Sequence, residues 1–432
     1  MKYNKSIIIF LIFIKFVFSQ DIEELFEKGE VLVNEGYIDS SDKIFNMCLE
    51  LDNSFAPAYI GISKNWLIRG DLKKANELAT KAVQIDEDFR SWWNELNEIN
   101  NKIQSGRQSD KLKNFDEAIT IYESIIKKYP NCSEVYFYMG HSRYKQKDMA
   151  AAAAYWKKSI EIYPNHSKSK KGLGNITKKY FRNGNAAYKR GDVDGAIQNY
   201  EKAIDFDPSY YLAYFQLGVI EKKSGNHSKA IDYLKQAAQI EPKYEKTWYT
   251  IATAYESESN LDSAIANYSK AIFINPDYHK AHGQLGSIYT LKKEYDLAEE
   301  SLKTSVGIEP SYAIGYYKLG LVYHELNRLD SAIQSYKSSL EIDSKNFDVW
   351  FKIASVYNLK NNFSDGALAA KKATELKRTF GGGWYEYGIS ELGKGNKTRA
   401  KKYFETARKD RKWRKLAELE IDKLNNPVKY QK

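Results

Sequence analysis

Two histidines three apart, His279 and His282, would share one face of a helix and could hold a metal ion between them. A site of that kind needs further Cys, His or carboxylate donors, and no third ligand stands at a suitable spacing. The run Gly381-Gly382-Gly383 could bring backbone N–H groups up to a phosphate at a helix start, yet no Lys-Ser/Thr follows and Trp384 comes instead. Gly172-Leu173-Gly174 lacks both a preceding strand and the third glycine of a dinucleotide loop. Cys48 and Cys132 are the only thiols, and without histidine at ligand spacing they make no zinc motif. Carboxylates are plentiful, but no pair of them is set apart from the solvated faces of helices. No catalytic residue, cofactor or metal is therefore assigned, and the chain reads as a non-enzyme.

The elements that carry these residues explain most of them. Segments starting at Thr177, Tyr211, Glu245, His279, Ala313, Phe347 and Gly381 align without a gap, at a period of 34. One slot holds Ala196, Ala230, Ala264, Ala298, Ala332 and Ala400. Another, seven residues on, holds Ala203, Ala237, Ala271, Ser305, Ser339, Ala373 and Ala407. Small residues recurring at these positions mark where two helices touch, and Pro208, Pro242, Pro276 and Pro310 end the second helix of a unit. His282 falls in the slot of Tyr214, Trp248 and Tyr316, which gives it a structural role in place of a metal. Turns such as Gly191-Asp192 and Gly225-Asn226 close each pair.

With Tyr214, Leu217, Gly218, Ala230, Leu234, Ala237 and Pro242 in one segment, and Trp248, Ile251, Ala252, Tyr255, Ala264, Tyr268, Ala271 and Pro276 in the next, the chain resembles the tetratricopeptide repeat family. Eleven units are expected from Ile22 to Arg414, more irregular upstream, where Leu25, Gly29, Phe45 and Cys48 carry the match. The resemblance implies an all-α fold, a right-handed superhelical solenoid of stacked helix-turn-helix units, each burying its apolar stripe only against its neighbours. In such a solenoid Cys48 and Cys132, about two helical hairpins apart, cannot approach within the roughly 7 Å that a disulfide needs. Two units are long, from Arg90 to Cys132 and from Ser167 to Tyr210, with the surplus in or beside the first helix. After Arg414, residues 415–424 read as a capping helix with Leu416, Leu419 and Leu424 on one face.

The resemblance also directs the fifth residue of each first helix into the concave groove. Phe26, Phe137, Phe181, Phe215, Tyr249, Tyr317, Phe351 and Tyr385 stand there, with Ile60 and Gly283 as exceptions. Tyr144 and Tyr188 follow on the same face by helical spacing. A row of rigid aromatics suits an extended peptide, and equally suits contact with the neighbouring helix. Their rings are expected to face solvent in the free protein, and the gap at Gly283 to mark a pocket. The family's carboxylate clamp is not reproduced, since Phe181 replaces its lysine although Asn185 is suitably placed. Its asparagine ladder is absent too, with Gln216, Thr250, Gln284, Lys318 and Lys352 in that slot.

Residues 1–19 differ in kind. Lys2 and Lys5 precede an apolar run over residues 6–18, broken by Lys15, and Val17-Phe18-Ser19 is compatible with cleavage of a signal peptide after Ser19. Thirteen residues fall short of the roughly 20 of a spanning helix. The formal charge is +10, but residues 397–432 hold thirteen Lys or Arg against five Asp or Glu, so the basicity is local. That end is either a soluble cap or a contact for anionic lipid or an acidic partner, and the export signal disfavours nucleic acid.

The expected organisation is a signal peptide (1–19), an irregular N-terminal arm of about four units (20–166), a regular C-terminal array of about seven (167–414), and a basic capping helix and tail (415–432). The expected role is a periplasmic or secreted scaffold of the bacterial envelope that binds protein or extended peptide. The alternative is a peripheral or anchored membrane component that recruits secretion or surface-polymer machinery.

Overall fold

The small residues of the repeat decide where the helices cross. Every alanine of both slots is fully buried, and Ser305 and Ser339 fill the same space at 0% and 2% exposure. Each of these serines satisfies its hydroxyl on a carbonyl at the start of the first helix of its unit, Ser305 on His279 (2.7 Å) and Ser339 on Ala313 (2.9 Å). Opposite, a first helix must be flat enough to admit a large side chain from its partner. A Cβ on Gly320 would lie 2.4 Å from the ring of Tyr336, which is itself fully buried. This knob-and-hole contact aligns the two helices of a pair.

The computed structural model describes residues 21–430, and the expected signal segment lies outside them. Among the described residues there are twenty-three α-helices and no strand. The first, α1, covers residues 21–34; eleven helical pairs follow one another, and a single helix closes the chain. The first helices that matter below are α5 (Arg90–Lys111), α7 (Ser133–Lys145), α9 (Ser167–Lys189), α11 (Tyr211–Lys223), α13 (Glu245–Ser257), α15 (His279–Leu291), α17 (Ala313–Glu325), α19 (Phe347–Leu359) and α21 (Gly381–Gly393). From α11 onward they begin at the residues that start the gapless sequence segments. The surplus of the two long units is helix: α5 runs for 22 residues and α9 for 23, against 13 in α11, α13, α15, α17, α19 and α21.

Local chemistry sets the ends. Gly191 and Gly225 turn at φ 82° and 84°, the left-handed region where glycine carries no steric penalty. Asp192 then caps the next helix by accepting from the Gly195 N–H at 2.9 Å. At the other end, Asp207 and Asn275 are extended, as the residue before a proline must be, ahead of Pro208 and Pro276.

The chain forms two compact units that divide between Ala213 and Tyr214. In each, successive pairs stack and the apolar residues form a line of small cores. One core of the first unit centres on Leu96, Ile103, Tyr122 and Met139, and one of the second on Leu302, Val322, Tyr336 and Ile353.

The final helix, α23 (Arg414–Asn425), departs from its expected orientation. Ala417, Ile421 and Leu424 meet Phe404 and Ala400, whereas Leu416 and Leu419 are 46% and 42% exposed. The spacing of Ala417, Ile421 and Leu424 is as helical as that of the leucines. The small Ala417 lets the helix sit close, and this sets its rotation.

Candidate binding surface

Each fifth-position aromatic is held by the core of its own repeat. In the second unit the Tyr249 ring lies 5.5 Å from Tyr268 on the second helix of its pair and 5.0 Å from Tyr278 in the following turn. Phe351 meets Phe380 (5.2 Å) and Trp413 (5.5 Å), and Tyr385 meets Phe404 (5.6 Å) and Trp413 (5.2 Å). Phe215 packs on Tyr244 at 5.3 Å, and Tyr317 on Tyr336 at 6.1 Å, its hydroxyl donating to Asp348 at 2.5 Å. The first unit repeats the scheme, with Phe26 on Phe45 and Phe55, Phe137 on Trp156 and His166, and Phe181 on Tyr200 and Tyr210. Tyr144 also rests on Trp156, at 5.7 Å, and Tyr188 is partly buried.

These rings are therefore not solvent-facing as expected. They are half-buried, Phe351 more so at 8% exposure, and burial pushes the Tyr249 and Tyr385 hydroxyls up to about 12. Turn aromatics such as Tyr244, Tyr278 and Phe380 give several of these rings a partner that no single slot reveals, whereas Tyr317, followed by Asn346 in that turn, uses Asp348.

Gly283 marks no pocket. Tyr312, from the turn after that unit, comes within 3.0 Å of where a Cβ on Gly283 would sit, and Ser305 within 3.2 Å. The turn tyrosine occupies the place of the missing ring and stacks edge-on against His279 at 5.1 Å.

Between the rings runs a set of polar side chains. Lys318 Nζ donates to Gln284 Oε1 at 2.6 Å, joining α15 to α17 across 34 residues, and Glu256 on α13 accepts from Tyr268 at 2.7 Å and Gln284 at 3.4 Å. Lys222 donates to Thr253 at 2.8 Å. Burial holds Lys318 and Lys222 below the usual ammonium range, for Lys318 against the pull of Glu256. Further along, Asn358 donates to the Glu386 carboxylate at 2.8 Å, and burial raises that carboxyl above its ordinary value. Gln284 and Lys318 were visible in the sequence only as departures from an asparagine ladder. Their exact spacing of one repeat was the signal that they meet.

The residues singled out for chemistry have structural partners. His282 Nε2 donates to the Pro276 carbonyl at 2.9 Å, as Trp248 donates to Pro242 (2.9 Å) and Trp384 to Arg378 (2.8 Å) from the same slot. Asn185 accepts from Tyr200 at 2.7 Å. The start of α21 is closed by Asp410, whose carboxylate accepts from the Gly381 N–H at 2.9 Å, while a Cβ on Gly382 would strike Trp413 at 2.8 Å. Cys48 and Cys132 are buried free thiols, and burial lifts Cys132 to about 12.

In the first unit, Phe137 borders a cavity of about 500 Å³ between α5 and α7, lined also by Arg107, Asp110, Lys111 and Lys145. Tyr144 and Phe181 do not line it.

Family models described as TPR repeat match residues 184–225 and 322–360, and others described as tetratricopeptide repeat match residues 104–131, 133–166, 211–244, 245–278 and 279–312. No curated protein matches the chain. Among solved structures, MamA is 28% identical, with 38% of this chain and 95% of that one covered and a TM-score of 0.35. A tetratricopeptide repeat protein from Parabacteroides merdae is 14% identical, covering 58% and 100% at a TM-score of 0.43. The Cut9–Hcn1 hetero-tetramer of the APC/C is 14% identical, covering 92% and 95% at 0.45.

Proposed function

The chain belongs to the tetratricopeptide repeat family, and from that premise we propose that it is a non-enzymatic scaffold of the bacterial envelope, exported by its N-terminal segment, that holds protein or extended peptide segments against the face lined by its first helices. One observation carries this reading. At the repeat spacing, half-buried aromatic rings alternate with polar groups such as Gln284 and Lys318, whose bond links adjacent first helices. Rings already fixed by Tyr268, Tyr278 and Phe380 lose little entropy when a ligand covers their remaining surface, which is the property of an interface anchor. An extended backbone needs hydrogen-bond partners at regular intervals, and the amide and ammonium groups supply them.

The test is capture of partners from the native host, followed by affinity measurements on the purified partner with Phe215→Ala and Gln284→Ala/Lys318→Ala variants. A loss of about tenfold or more is expected with the helical signal retained. Unchanged affinity on an intact fold would overturn the reading.

The peripheral membrane alternative is favoured by one feature, the exposed Leu416 and Leu419 on α23 beside Arg411, Lys412 and Lys415. Among the described residues no helix is long and apolar enough to cross a membrane. Cell fractionation separates the two readings: the scaffold is recovered free in the exported fraction, and the membrane component leaves the membrane only on a salt wash or resists it.

A further inference from the structure

The cavity between α5 and α7 combines a recess, an aromatic floor and an excess of positive charge. Phe137, Tyr138 and Phe115 supply the apolar wall, and Arg107, Lys111, Lys113 and Lys145 surround it. The single carboxylate, Asp110, is already engaged: it accepts from Ser142 at 2.7 Å and from the buried Tyr122 at 3.2 Å. The remaining titratable wall residue, His141, is held below its ordinary value, chiefly by burial.

The cations themselves are available. Lys111, Lys113 and Lys145 are exposed and form no ion pair among the described residues. Arg107 lies over the Tyr138 ring at 5.6 Å and uses one N–H on Gln104 at 3.3 Å, so most of its donors are open. By contrast, some lysines at the ends of other first helices or in the turns after them are tied down, as Lys292 is to Asp262 and Lys394 to Glu391. Four cations against one carboxylate, at a recess of about 500 Å³, create a positive potential.

We propose that this cavity is the binding site for an acidic peptide segment, with an Asp or Glu side chain on Arg107, Lys111 and Lys145 and an adjoining apolar side chain against Phe137 and Tyr138. Arginine fixed on an aromatic face is suited to a carboxylate, because its planar fork loses little freedom on binding. The volume lies within the range of roughly 300–1,000 Å³ typical of ligand pockets. The proposal rests on the peptide-binding reading of the first-helix face and names the ligand class for its first unit.

Two fluorescein-labelled peptides test it by anisotropy on the full chain, one alternating Glu with Phe and Leu, the other identical with Gln for Glu. The acidic peptide should bind at least about tenfold more tightly, and Lys111→Glu/Lys145→Glu should erase that preference, whereas Lys345→Glu, at an exposed lysine away from the cavity and the basic end, should leave it in place. Equal binding of both peptides overturns the acidic class and leaves peptide binding standing. Binding of neither overturns the proposal too, and the partner-affinity experiment on Phe215 and Lys318 then decides the broader reading separately. Phosphatidylglycerol vesicles that bind through Lys111 and Lys145 while the acidic peptide does not would assign the cavity to a membrane surface and overturn it as well.

Discussion

His166 Nε2 donates to Glu134 Oε2 at 3.1 Å, with only 4% and 5% of the two side chains exposed, and so ties the turn before α9 to the first residues of α7. The tautomer follows from the other ring nitrogen. Nδ1 accepts from the Ser169 N–H at 3.3 Å, so the proton sits on Nε2. Lys168 reaches the second carboxylate oxygen at 2.5 Å.

Burial opposes the charge on Glu134, but hydrogen bonds from His166 and Lys168 outweigh it and hold the carboxyl below its ordinary value. A carboxylate depressed in the folded state stabilises above its unfolded value of about 4.3 and ceases to as pH falls through the folded value. Glu134→Gln is expected to cost about 3 kcal/mol at neutral pH, the scale for breaking a buried ion pair. Thermal melts at pH 7 and near pH 3 check it, since the difference should shrink at the acid end.

Glu386 in the second unit has the opposite sign. Burial raises its carboxyl despite the hydrogen bonds from Asn358 and Ser355, so it favours folding only while protonated. That contribution is present below the unfolded carboxylate value and is lost as pH rises through the folded one. Glu386→Gln keeps the acceptor for Asn358 and removes the charge. It should raise the melting temperature at pH 7, by the equivalent of roughly 1 kcal/mol or more, and give no gain near pH 4. A melting temperature lowered at pH 7 would contradict this.

The turn slot offers a stabilising change. Lys293 adopts φ 62° where Gly225 and Gly395 occupy the same slot at 84°, and a side chain there carries a penalty of about 1 kcal/mol. Lys293→Gly should stabilise by up to that amount, as read by urea unfolding with an unchanged slope.

What periodicity encodes was legible, and what crosses it was not. The buried alanines, the helix starts at Tyr211, Glu245 and Gly381, and the turns at Gly191 and Gly225 all recur at one spacing, and each recurrence states the same steric requirement. Glu134 and His166 recur nowhere else, so nothing in the repeat announced their contact. The rotation of α23 was misread because leucines outweigh alanine in an apolar stripe, while close approach favours the smaller Ala417. The fifth-position aromatics recur at the repeat spacing, but their half-burial depends on residues such as Tyr244, Tyr278 and Phe380, which sit in turns and not on the face being read.

Ala271 makes the strictest demand on that register. It is fully buried where the two helices of its pair cross, beside Ala264 and Tyr268. Ala271→Arg would force a charge and about four methylene-sized groups into a contact built for one methyl, at a cost of several kcal/mol. Because repeats unfold as neighbours, hydrogen exchange should show protection lost first in residues 245–308 and retained in the first unit. A variant with the parent's melting temperature would refute the register.

Tyr249 separates adhesion within the repeat from adhesion to a ligand. Its ring contacts Tyr268 and Tyr278, so Tyr249→Ala should destabilise by about 3 kcal/mol, as an excavated aromatic does. Lys318→Ala removes only a hydrogen bond to Gln284 and relieves a buried ammonium, so its stability should change by less than about 1 kcal/mol. If the first-helix face binds peptide, partner affinity falls in the Lys318 variant although its melting curve barely moves. A face whose rings serve the fold alone would show the reverse, stability lost at Tyr249 and affinity indifferent to Lys318, and paired calorimetry on the two variants tells these outcomes apart.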